Sequence, residues 1–86
     1  MFELVIHRRA YRYFRRLPQN LQNRINDVLR QLRASPLQIP GLKKMAGDWA
    51  GYHRLRVGHI RIIVWIDEPT KTIYVDHIGP RGDVYR

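Results

Sequence analysis

The chain predicts a small α+β sandwich of order β-α-α-β-β-β, with an antiparallel helix hairpin packed on one face of a curved, mostly antiparallel sheet. Three features lead there. Side chains alternate with a period of two near the N-terminus, apolar positions then recur at helical spacing on both sides of Pro18, and from Tyr52 onward the period returns to two. Residues 1–86 read as one domain without an internal repeat.

Taken in order, Phe2, Leu4 and Ile6 alternate with Glu3, Val5 and His7, as in a strand with one buried face. From Arg8 the spacing becomes helical: Ala10, Tyr13, Phe14 and Leu17 share a side, and Arg8, Arg9, Arg12, Arg15 and Arg16 surround it. Pro18 lacks an N–H and cannot extend that helix, but it suits the first turn of another. Leu21, Ile25, Val28, Leu29 and Leu32 trace the apolar stripe of this second helix, expected over about residues 18–34 and stopped by Ser35-Pro36. Residues 36–51 are expected to be irregular, tethered to the core by Leu42, Met45 and Trp49, with Lys43 and Lys44 available to a ligand or simply solvated.

In the next strand Tyr52, Arg54 and Arg56 point to one face and His53, Leu55 and Val57 to the other. After the Gly58-His59 connection, residues 62–66 are apolar enough for a strand buried on both faces, and Arg61 interrupts it. A guanidinium there is costly unless it is paired, with Asp76 or Asp83 for example, or serves a functional surface. Residues 67–71 carry turn chemistry, and strict alternation in the last strand sets Ile73, Val75 and His77 against Tyr74, Asp76 and Ile78. Gly79-Pro80 closes that strand, and residues 81–86 are expected to return over the sheet edge.

Composition narrows the chemistry. Sixteen Lys and Arg against seven Asp and Glu give a formal charge of +9, which calls for a polyanion or an acidic protein as partner. Thirteen of those cations are arginine, suited to bidentate phosphate contact and to stacking on bases. With no cysteine there are no disulfides, thiolate metal sites or thiol nucleophiles, and no apolar run reaches membrane-spanning length, so the expected location is the cytoplasm. His7, His53, His59 and His77 fall on separate elements without ligand spacing, and no P-loop is present; neither a metal nor a small-molecule cofactor is expected.

Two blocks, Y-H-R-L-R-V-G-H-I-R-I-I-V-W from Tyr52 and G-P-R-G-D-V-Y from Gly79, together with R-R-L-P-Q-N-L-Q-N-R-I in the helix hairpin, resemble the RelE/ParE toxin superfamily. The resemblance covers nearly the whole chain. It implies the toxin of a type II toxin–antitoxin pair, with a cognate antitoxin as partner. RelE-like members cut mRNA in the ribosomal A site, whereas ParE-like members poison DNA gyrase. The RelE-like site residues correspond to Arg61 on the third strand, Arg81 after the last strand and Tyr85 near the C-terminus, assisted by Arg54 and Arg56. All are filled, which favours the ribonuclease branch. Two aromatic positions differ: Ile60 precedes the third-strand arginine, and the aromatic after it stands at Trp65.

RNA cleavage needs no external nucleophile, because the adjacent 2′-hydroxyl attacks phosphorus once a base takes its proton and cations hold the added negative charge. Arginine is too basic to accept that proton, so Arg61 and Arg81 are cast as phosphate clamps. The resemblance makes Tyr85 the base, its phenol lowered by neighbouring cations; His59 is next in line, as base or as acid for the leaving oxygen. Lys43, Lys44, Arg54 and Arg56 are the RNA-binding candidates. Structural roles stand beside these: Tyr85 packing on the sheet edge, Arg81 as a surface residue, Arg54 and Arg56 as a solvated face. Two other functions stay open, a gyrase inhibitor without enzymatic activity and a basic RNA-binding module that does not cut.

Overall fold

A strand that enters the sheet beside the last strand, two helices that cross its face and three strands that return beside one another arrange the polypeptide. The structure is a computed structural model describing residues 1–80. The elements are β1 (Glu3–Ile6), α1 (Arg8–Arg16), α2 (Gln19–Ala34), β2 (Lys43–Lys44), a 3₁₀ turn (Gly47–Trp49), β3 (Tyr52–Val57), β4 (Ile60–Asp67) and β5 (Thr72–Pro80). They form one five-stranded sheet in the order β1-β5-β4-β3-β2, with β1 parallel to β5 and the remaining pairs antiparallel.

The helix hairpin forms where the apolar spacing places it. His7 caps α1 by accepting the Arg9 N–H on its Nδ1 at 3.1 Å, and Arg15 and Arg16 in the last turn complement the negative end of the helix. The Gln22 amide of α2 donates to the carbonyls of Leu17 (2.9 Å) and Arg15 (3.2 Å), satisfying acceptors that the end of α1 leaves open. Ile25, Leu29 and Leu32 of α2 and Ala10 of α1 are buried on the sheet, against Leu55, Val57, Ile60, Ile62, Val64, Ile73, Val75 and Ile78. Among the described residues no helix is long and apolar enough to cross a membrane.

Three details depart from the sequence expectations. The stretch after α2 is not wholly irregular, because Lys43 and Lys44 pair with Arg54 and His53, and the Met45 N–H extends the ladder to the Tyr52 carbonyl at 2.9 Å. A two-residue strand has no period for a sequence to display. Second, β4 is not buried on both faces throughout: Ile62, Ile63 and Val64 are fully enclosed, but Trp65 is 40% exposed. On the face away from the helices, among the described residues, Met45, Trp49 and Tyr52 pack on Ile63. Third, a bulge breaks the alternation of β5. Ile63 pairs with His77 and Val64 with Val75, leaving Asp76 as the extra residue. Ile78 is thereby returned to the core, and His77 moves to the helix-free face with Tyr74. Strict alternation would have put His77 inside with Ile73 and Val75.

Candidate nucleic-acid interface

The cross-strand register lays out the helix-free face row by row. Nearest the β3–β4 turn, Arg56 stands opposite Arg61, and Arg61 opposite Gly79. In the next row Lys43 faces Arg54, Arg54 faces Ile63, and Ile63 faces His77. Beyond it Tyr52, Trp65 and Tyr74 stand side by side. Gly58, with φ +60°, makes the two-residue turn that holds β3 and β4 in this register.

The first two rows enclose a cleft of about 280 Å³ lined by Gly41, Lys43, Arg54, Leu55, Arg56 and Arg61. Among the described residues that line it, four are cations and none is acidic, so they concentrate positive potential where an anion can enter. Arg61 is 6% exposed, the buried charged residue of the described chain, and its side chain belongs to the cleft wall. Arg56 and Arg61 are directly opposed across the ladder, a pairing that like charges disfavour.

Of the residues singled out in the sequence, Arg54, Arg56, Arg61 and Lys43 are brought together. Lys44 is not: it pairs with His53, whose strand position faces the helices. Burial, and secondarily the charge of Lys44, push the His53 imidazole below its ordinary value of 6.5. His59 is exposed in the turn and does not line the cleft. Asp76 accepts a hydrogen bond from the Tyr52 hydroxyl; that bond, then burial, then the Asp76 charge push the phenol above 10.0. Tyr52 therefore stays protonated at neutral pH and is no proton acceptor. Arg81, Asp83 and Tyr85 lie outside the described residues, as does the expected return of the chain over the sheet edge.

His77 is the residue that sequence reasoning passed over. A Cβ built on Gly79 would lie 2.6 Å from His77 Nε2 and 3.1 Å from its Cε1, so the imidazole is folded over Gly79, the cross-strand neighbour of Arg61. Its place beside the arginine row depends on the bulge at Asp76, and no local sequence signal announces that bulge.

No protein-family model matches the sequence, and no curated protein matches it either. Solved structures do match. A chain of the archaeal RelE–RelB complex from Pyrococcus horikoshii superposes with a TM-score of 0.82 at 23% identity, covering 95% of this chain and 97% of that one. The isolated RelE toxin of E. coli gives 0.77 at 18% identity, over 99% of this chain and 92% of its own. The chain has the RelE fold. A YoeB/ParE toxin from Agrobacterium tumefaciens, at TM-score 0.80, 20% identity and coverage of 93% and 99%, shares it too. Within the RelE fold the cleft thus lies on the helix-free face of the sheet, between β2, β3 and β4.

Proposed function

We propose that this protein is the toxin of a type II toxin–antitoxin pair and acts as an endoribonuclease on mRNA in the ribosomal A site. The observation that carries the reading is the cleft itself, on which Lys43, Arg54, Arg56 and Arg61 converge. The RelE fold of the chain and the matching of Arg81 and Tyr85 to the RelE-like pattern add to it.

In the reaction, the 2′-oxygen of the scissile nucleotide forms a bond to phosphorus as the bond to the 5′-oxygen breaks. Tyr85, as its phenolate, takes the 2′ proton, and solvent water supplies the proton to the leaving 5′-oxygen. Arg61 and Arg81 hold the phosphate oxygens as charge builds, each contributing about 3 to 4 kcal/mol if they act as other preorganised donors do. Arg54, Arg56 and Lys43 fix the neighbouring phosphates. Toxin–antitoxin complexes among the solved structures of this fold support a cognate antitoxin here as well. An acidic segment of that antitoxin would neutralise the arginine face in the resting pair.

The test is to map mRNA ends on programmed ribosomes with and without the protein. New 5′-hydroxyl ends within the A-site codon are expected. Intact mRNA together with gyrase-dependent DNA breaks would overturn the nuclease reading in favour of gyrase poisoning.

A further inference from the structure

Next to the arginines, the same sheet face carries an aromatic row with no part in the cleavage chemistry. Trp49 packs edge-on against Tyr52 with ring centroids 5.1 Å apart, and Tyr52 against Trp65 at 5.2 Å. Tyr74 follows as the cross-strand neighbour of Trp65. Trp65 is 40% and Tyr74 37% exposed, and the two are cross-strand neighbours on one face rather than scattered singly. The backbone is shaped around the row: Gly51 takes φ +96°, and a Cβ there would lie 2.6 Å from the Trp65 ring.

We propose that Trp49, Tyr52, Trp65 and Tyr74 form a stacking subsite for the bases of single-stranded RNA whose phosphates occupy the cleft. The proposal deepens the RNA reading of the cleft and rests on it. The row continues the cleft along the same strands: Tyr52, Arg54 and Arg56 are successive outward positions of β3, and Trp65, Ile63 and Arg61 of β4. Each step of two residues advances about 7 Å, so the rings lie about 13 to 14 Å from the Arg56–Arg61 row. A strand held by its phosphates at the arginines therefore brings neighbouring bases over the rings. A basic groove tracking the backbone beside aromatic rings is the arrangement by which proteins bind single strands without reading their sequence. RNA offers phosphates to Lys43, Arg54, Arg56 and Arg61 and bases to the adjoining rings at once, which makes it the occupant that fits both halves of this face.

Both tryptophans of the chain lie in the row, so intrinsic emission reports on it alone. The experiment titrates the protein with a short single-stranded RNA and with an abasic oligonucleotide of equal phosphate count. The RNA is expected to quench the tryptophans and to bind about 5- to 100-fold more tightly than the abasic strand. Trp65→Leu, which keeps an apolar side chain near Gly51, should remove most of that difference and spare abasic binding. Tyr74→Leu, at an exposed position with little bearing on folding, should do the same in part. Equal affinity for the two strands with unchanged emission would overturn the proposal. So would emission that responds to the antitoxin and never to RNA, since the row would then be a protein-docking surface. Cleavage plays no part in the readout: quenching without mRNA cutting keeps the subsite and rejects the nuclease, whereas cutting without quenching rejects the subsite alone.

Discussion

Arg56 and Arg61 set the energetic character of the site. Two guanidinium groups directly across an antiparallel ladder repel. Arg56→Gln should therefore stabilise the free protein by about 0.2–1 kcal/mol in urea denaturation while weakening RNA binding. The slope of log K against log salt should become shallower by about one unit, and a variant less stable than the parent would deny the repulsion. His53 makes a different prediction. Its folded-state pKa is depressed, chiefly by burial, so between that value and 6.5 the unfolded chain binds more protons than the folded one. Stability from this group is complete above pH 6.5 and falls as pH drops below it. Thermal melts of the parent and of His53→Gln across pH 5 to 8 should show a steeper acid-side loss in the parent.

Among the elements, β3 and β4 carry the site and their turns and bulge set its register. Gly51→Ala combines an unfavourable φ with a Cβ 2.6 Å from the Trp65 ring, and should cost about 1–3 kcal/mol. The tryptophan emission should shift with it, and a fully stable variant with parental emission would show that the ring is not held there. Much of this architecture was legible in the chain. The stripe of Ile25, Leu29 and Leu32 and the alternation of Tyr52, Arg54 and Arg56 follow from burial on one side, which composition records residue by residue. The strand β2 was not legible, because it is specified by main-chain pairing with β3 rather than by side chains. Nor was the bulge at Asp76, which depends on how β5 fits β4 and which decides that His77, and not His59, stands beside the arginine row. Arg54, Arg56, Arg61 and Lys43 were recognisable as a charge pattern, but the separation of Lys43 from Lys44 required the register.

The formal charge of +9 is spread over both sides of the protein, since Arg8, Arg9, Arg12, Arg15 and Arg16 of α1 are all exposed on the side opposite the cleft. Long-range attraction to a polyanion is accordingly general, and the cleft is distinguished by its enclosure and by the buried Arg61. In the proposed function a ribosome engages the outer arginines while an mRNA strand enters the cleft, so binding alone is a poor discriminator of function. Bond chemistry discriminates. The decisive measurement is single-turnover cutting of an A-site codon on programmed ribosomes, comparing all-ribose mRNA with mRNA carrying one 2′-deoxy substitution at the scissile nucleotide. The all-ribose strand should be cut to a 2′,3′-cyclic phosphate or 3′-phosphate upstream and a 5′-hydroxyl downstream, and the deoxy strand should stay intact. Equal cutting of both strands would contradict attack by the 2′-hydroxyl, and with it the roles given to Arg61, Arg81 and Tyr85.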